Sequence, residues 1–326
     1  EDAFGGTGRS AQPGLQALPQ VTRWLDEEHW LEVRAGTVYK VRASDGTATL
    51  HQDPATLRDI APKGLTDNPV VSRSADDQLR VYLVAGDVWT VDLAAKTSRR
   101  LTQTTAGEEN PTLSPDARQV AYTRGGNLFV YDLGASLERQ LTNDGSDTIG
   151  NGYASWVYFE EILGRAGNYR AFWWSPDSAR LAFLRFDDGP VPVFPIYWAD
   201  GQHGKLETQR YPKAGDPNPY VRVGAVAATG GGVTWMQFPE QADHYLAWLS
   251  WTRDSQQVFV QWMNREQDTI RLVHGDPRTG AVTPLFEEKQ AAWVHWYEDL
   301  TTLANGDLLV RSDVDGWDHL YRRRPD

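Results

Sequence analysis

The sequence predicts an all-β fold, a β-propeller built from four-stranded blades. Three short patterns carry this reading, because all three recur at one offset. Asp87-Val-Trp-Thr-Val-Asp-Leu93 returns as Asn127-Leu-Phe-Val-Tyr-Asp-Leu133, Arg100-Leu-Thr102 as Gln140-Leu-Thr142, and Ser74-Ala-Asp-Asp77 as Ser114-Pro-Asp-Ala117, each 40 residues on. Repeats of about 40–45 residues with four strands each are the mark of propeller blades. A sandwich would give no reason for a fixed offset across three separate motifs.

Each unit justifies its strands in turn. Residues 1–20 are rich in Gly, Gln and Pro and read as an arm, with the propeller running from 21 to 326. Within a unit, a Ser-Pro-Asp turn precedes an alternating run such as Gln119-Val-Ala-Tyr-Thr123. Apolar residues at every second position fit half-buried antiparallel strands. Gly125-Gly-Asn127 then turns the chain into Leu128-Phe-Val-Tyr131, as a hairpin requires. The turn motif returns as Ser175-Pro-Asp-Ser178 and, more loosely, as Thr252-Arg-Asp-Ser255.

The period then breaks. The turns at 114 and 175 are 61 residues apart, and those at 175 and 252 are 77 apart. The first excess falls at about 144–169, and the second contains the Pro- and Gly-rich stretch from Gly189 to Gly232. Insertions in repeat folds often carry binding, so function is sought in these two segments.

Composition removes several classes of function. With no Cys among 326 residues there is no disulfide, no thiolate metal site and no cysteine nucleophile. A net charge of −12 argues against nucleic acid and anionic lipid as partners. No apolar run approaches the ~18 residues of a membrane span. The seven His show no metal-binding spacing, and Asp313-Val-Asp-Gly-Trp-Asp318 lacks the closing Glu of a calcium loop, so neither metal nor another cofactor is expected. Gly230-Gly-Gly232 is followed by no Lys-Ser/Thr and is no phosphate cradle. Trp173, Trp174, Trp248, Trp251 and Trp262 lie on or beside strand patterns and read as packing between blades.

The first insert reads Asn151-Gly-Tyr-Ala-Ser-Trp-Val-Tyr-Phe-Glu-Glu-Ile-Leu-Gly164, with a short helical turn at Phe159 to Leu163. On such a turn Glu160 and Glu161 stand about 100° apart and can converge on one small cation. Two close carboxylates repel, and an ammonium relieves that repulsion. Glu-Glu also occurs at 27–28, 108–109 and 287–288, where it reads as solvated surface. The aromatic setting of Trp156, Tyr158 and Phe159 singles out the pair at 160–161.

Trp156-Val-Tyr-Phe-Glu-Glu161, followed by Phe172-Trp-Trp-Ser-Pro-Asp177, resembles the propeller domain of the dipeptidyl peptidase IV family, in the prolyl oligopeptidase superfamily. Leu181-Ala-Phe-Leu-Arg-Phe-Asp187, Val191-Pro-Val-Phe-Pro195, Tyr211-Pro-Lys-Ala-Gly215, Asn218-Pro219, Asp243-His-Tyr-Leu246 and Gly316-Trp-Asp-His-Leu320 extend the resemblance over roughly 69 to 322. It implies a serine exopeptidase of bacterial type that releases Xaa-Pro and Xaa-Ala dipeptides. Its partner would be a peptide with a free N-terminus and Pro or Ala at the second position. It also implies that Glu160 and Glu161 bind the peptide α-amine. A substrate-contacting aromatic would fall at Tyr297 or Trp296. The Arg that holds the substrate carbonyl finds no match on the short hairpin from Tyr82 to Trp89, with Arg80 and Arg58 the nearest in sequence. The resemblance leaves a homodimer open and favours a periplasmic or secreted location.

The catalytic triad of that family lies in a C-terminal α/β-hydrolase domain, and no Gly-x-Ser-x-Gly elbow occurs in the 326 residues. The expectation is therefore a partial propeller, without that domain and inactive by itself. Eight blades of about 40–45 residues need more chain than the arm and inserts leave, which points to six or seven. Two other readings remain at this point. One is a stand-alone propeller serving as a protein-interaction module. The other is a glycoside-binding propeller, disfavoured because glycosidase carboxylates face each other across about 5–9.5 Å.

Overall fold

The structure is a computed structural model, and it describes residues 20–165, 167–239 and 243–324. The expected arm lies almost wholly outside the described residues. Six antiparallel sheets follow one another along the chain and form the blades. Blade 1 comprises Gln20–Trp24, His29–Arg34, Thr37–Arg42 and Ala48–Gln52, and blade 2 Val70–Arg73, Leu79–Val84, Asp87–Asp92 and Thr97–Arg100. Between them lies the helix Pro54–Ile60, whose N-cap Asp53 accepts a bond from the Ala55 N–H. Blade 3 is Glu109–Leu113, Gln119–Arg124, Asn127–Asp132 and Leu137–Gln140. The runs read from the sequence are thus the third strand of blade 2 and the second and third strands of blade 3.

The four related turns occupy equivalent places, each joining the first and second strands of blades 2 to 5. Their fourth residues share one left-handed conformation: Asp77 at φ 60°, Ala117 at 58°, Ser178 at 61° and Ser255 at 60°. These turns also link neighbouring blades. The Asp116 N–H donates to Ser178 Oγ, and the Asp177 N–H donates to Ser255 Oγ, both at 3.0 Å. The indoles strengthen the same joints, with Trp174 Nε1 donating to the Thr112 carbonyl at 3.2 Å and Trp251 Nε1 to the Trp173 carbonyl at 3.0 Å. Trp173, Trp248 and Trp262 pack against the main apolar core, as the strand patterns indicated. Between blades 1 and 2, the joint is ionic. Asp77, fully buried, meets His51 Nε2 at 3.2 Å, Arg73 Nη1 at 3.0 Å and the guanidinium of Arg80.

Blade 4 carries both insertions. Its central strand is Arg180–Asp187, paired on one side with Tyr220–Ala227, which in turn pairs with Thr234–Trp235. On the other side the inner strand is split in two. Ile149–Asn151 pairs with Arg185 to Asp187, and Phe172–Trp174 pairs with Leu181 to Phe183. The chain between these halves leaves the sheet and returns to it. The second insertion is the hairpin Val193–Trp198 and Lys205–Arg210, which forms a two-stranded sheet of its own among the described residues. Blade 5 is His244–Trp251, Val258–Asn264, Thr269–Gly275 and Val282–Lys289. Blade 6 shows three strands, Thr301–Thr302, Leu308–Ser312 and His319–Arg323.

Two of the acidic pairs are not the solvated surface that the sequence suggested. Glu108 is buried and takes bonds from Arg124, at 3.0 Å, and from Thr102 and Thr104. Glu288 is buried and accepts from Tyr297 Oη at 2.9 Å and Ser312 Oγ at 2.7 Å. Each carboxylate sits inside because donors from neighbouring strands repay its desolvation.

Candidate functional site

The looped-out segment has a closed neck. The Ala171 N–H donates to the Gly152 carbonyl at 2.8 Å, while Gly152 N–H and Ala171 O both bond to Leu184. Gly152 sits at φ +70°, and a Cβ there would lie 3.2 Å from the Phe172 ring and 3.3 Å from Leu128, so the neck favours glycine. Beyond the neck, Trp156 and Val157 lead into a π-helical turn, Tyr158–Ile162, that closes with the Leu163 N–H on the Tyr158 carbonyl at 2.7 Å. Such turns are rare and concentrate at functional sites.

Three residues of the turn anchor it inside the fold. Tyr158, fully buried, stacks edge-on against Phe186 at 4.6 Å and accepts the Leu246 N–H at 3.3 Å. Phe159 packs on Tyr169 at 4.1 Å, and Tyr169 stacks on Tyr153 at 4.9 Å. Trp248 Nε1 donates to the Ile162 carbonyl at 3.2 Å. Trp248 reaches it from an irregularity in the first strand of blade 5, where the register slips between Ala247 and Ser250 and its own φ is +51°. A bulge re-aims a side chain in this way at the cost of local strain.

With the apolar residues of the turn directed inward, its two carboxylates face out. Glu160 is half-buried and Glu161 exposed. Neither has a hydrogen-bond or ion-pair partner among the described residues, unlike the buried carboxylates of Glu108 and Glu288. Glu160 also acts on Tyr169. Burial pushes the Tyr169 phenol up, and the negative charges of Glu109, Glu160 and Glu207 push it the same way. Three carboxylates from three parts of the chain thus push one hydroxyl the same way.

Beside this turn opens a cavity of about 560 Å³. Glu109, Tyr153, Ser155, Trp156, Tyr169 and Asp188 are among its walls. Burial pushes the Asp188 carboxyl up to about 7, with Arg210 opposing the shift and Asp187 adding to it.

The other residues read from the sequence are not among the walls of this cavity. Tyr297 is 3% exposed, its hydroxyl engaged by Glu288 and its N–H by Gln261 Oε1 at 2.9 Å. Trp296 is half-buried against the same core. Arg80 is committed to Asp77, and Arg58 lies in the last turn of the helix between blades 1 and 2. Sequence reasoning missed Trp248 as a brace of the turn and Glu109 as a wall of the cavity. The only signal for Glu109 was the pair it forms with Glu108, and that pair resembled ordinary surface.

The fold and the site together define a class: a propeller of four-stranded blades that presents unpaired carboxylates on a turn inserted into its fourth blade. The chain belongs to the family described as the dipeptidyl peptidase IV (DPP IV) N-terminal region, whose model matches residues 66–326. Among curated relatives it is 32% identical over 227 residues to Prolyl endopeptidase FAP of Mus musculus, covering 64% of this chain and 29% of that protein. It is likewise 32% identical over 241 residues to the "Probable dipeptidyl-aminopeptidase B" of Talaromyces marneffei, covering 63% of this chain and 26% of that one. The crystal structure of Porphyromonas gingivalis dipeptidyl peptidase 4 shares the fold with a TM-score of 0.80 at 24% identity, covering 94% of this chain and 45% of that one. The chain thus spans under a third of those curated relatives and under half of the solved protein. Against the eight blades that the resemblance implies, the six seen here form an incomplete propeller.

Proposed function

We propose that this propeller is the substrate-recognition region of a dipeptidyl peptidase IV-like serine exopeptidase, and that Glu160 and Glu161 bind the free α-amine of the peptide. The observation that carries this reading is the state of the pair: two adjacent carboxylates on a braced turn, with no cation among the described residues to neutralise them. A terminal ammonium supplies the missing charge. Each charge-assisted bond is worth roughly 1.5–3 kcal/mol.

Fixing the amine turns the site into a ruler. The nucleophile then meets the bond two residues in, where the peptide carries Pro or Ala, because the amine end cannot slide. The nucleophile, general base and oxyanion donors belong to an α/β-hydrolase domain C-terminal to the propeller. By this reading the 326-residue chain alone hydrolyses no Xaa-Pro amide.

The test is kinetic, on the full-length protein that carries this chain. Glu160→Gln with Glu161→Gln is expected to lower kcat/KM for Ala-Pro amides by at least about 100-fold, the loss of two charge-assisted bonds. An unchanged kcat/KM would remove the pair from the mechanism.

A further inference from the structure

The cavity beside the π-helical turn holds polar groups that the amine site does not use. Ser155 is 8% exposed, lines the cavity, and its Oγ has no hydrogen-bond partner. The Oδ1 of Asp188, another wall residue, is also buried and unpaired. Buried polar atoms are almost always satisfied, so two orphans on residues that line one space mark a place where a ligand group or water completes the bonding.

The charges around that space are unequal. Two arginines line it, and both are occupied. Arg124 is held by Glu108 at 3.0 Å and Glu138 at 2.7 Å. Arg210 Nη1 donates to the carbonyls of Asp188, Gly189 and Val191, at 3.2, 3.4 and 2.7 Å, and its charge lies against the Asp188 carboxyl. No cation answers Glu109, Asp147, Glu160 or Glu207 among the described residues. The Glu109 carboxylate stands beside the Tyr153 hydroxyl and raises it, and Glu207 accepts from Trp198 Nε1 at 2.9 Å. The Tyr153, Trp156 and Tyr169 rings that wall the cavity offer further faces to a cation.

We propose that this cavity takes the side chain of the peptide's first residue and selects a basic one, lysine or arginine, by the Glu109 carboxylate and the Ser155 hydroxyl. This rests on the amine reading, which places the first residue at the turn. Tyr169 connects the two sites, since it walls the cavity, packs on Phe159 at 4.1 Å, and feels both Glu160 and Glu109. A peptide beginning with Lys thus brings two cations to two groups of carboxylates.

Calorimetry on the full-length protein tests it with two dipeptide amides, Lys-Pro and its neutral isostere norleucine-Pro. Lys-Pro should bind at least about 10-fold tighter, and Glu109→Gln should bring that ratio towards one. Ser155→Ala should reduce the ratio by less. A ratio near one in the native protein, or one that Glu109→Gln leaves intact, would overturn the proposal. Glu160→Gln separates the two readings, because it should weaken both peptides alike. If it weakens neither, the amine reading fails. If it weakens both and the ratio is still one, only the cavity proposal fails.

Discussion

The indole N–H of Trp248 donates to the main-chain carbonyl of Ile162 at 3.2 Å, tying blade 5 to the turn that carries Glu160 and Glu161. The two residues are 86 apart in sequence. Trp248 makes the reach from a left-handed backbone at φ +51°, a conformation costly for a bulky side chain. Trp248→Phe keeps an aromatic ring but removes the donor and part of the indole's bulk. We expect kcat/KM for Xaa-Pro amides to fall about 10-fold through looser placement of the carboxylates. Stability should fall by about 1–3 kcal/mol, from one hydrogen bond and the lost indole packing. A stability loss without a kinetic effect would make the contact purely structural.

Asp77 gives the joint between blades 1 and 2 a pH dependence. Burial pushes its carboxyl up, but bonds from His51 and Arg80 and the charges of Arg80 and Arg73 outweigh it and hold the group at about 2. The folded value lies below the unfolded 3.8, so this stabilisation is present above about pH 4 and is lost as pH falls towards 2. Its size is about 2 kcal/mol. Asp77→Asn suits the same left-handed backbone and isolates the charge. Denaturant titrations should show native and variant proteins differing at pH 6 and converging near pH 2.

Asp188 has the opposite sign. Burial raises it to about 7 from 3.8, so the folded state holds a proton that the unfolded state has lost. Stability from this group is full below about pH 4 and declines as pH rises to about 7. Asp188→Asn should flatten that decline and stabilise the protein at pH 8, by at most about 4 kcal/mol. An Asn variant less stable than the native protein at pH 8 would contradict this.

Ala117 adopts φ 58° at a turn position where its counterparts are Asp77, Ser178 and Ser255. The side chains of Asp77 and Ser255 bond to neighbouring blades, as does that of Ser178, whereas Ala117 offers no such bond. Ala117→Gly removes the Cβ penalty, so we expect a stability gain of about 1 kcal/mol. Ser255→Ala should cost about 1 kcal/mol, because it leaves the Asp177 N–H without its acceptor. Thermal melts of the two variants check both signs.

Local order was readable where the chain repeats. The 40-residue offset corresponds to blades 2 and 3, and the recurring turn appears four times with one backbone conformation. The insert at Glu160 and Glu161 stood out because it broke that period. The π-helical closure was not readable, because a single i→i+5 bond leaves no periodic trace in side chains. Nor was the pinning by Trp248, which depends on a bulge and on a partner 86 residues away. Glu108 and Glu109 show a further reason. Their burial differs by face of one strand end, and the donors that bury Glu108 come from Thr102, Thr104 and Arg124.

The central claim is that the carboxylate pair binds a peptide amine. Calorimetric titration of the full-length protein with Ala-Pro and with N-acetyl-Ala-Pro tests it most directly, since acetylation replaces the ammonium by a neutral amide. The account predicts that acetylation weakens binding by at least about 100-fold, from two charge-assisted bonds, and that Glu160→Gln with Glu161→Gln abolishes the difference. Equal affinity for the two peptides in the native protein would contradict it.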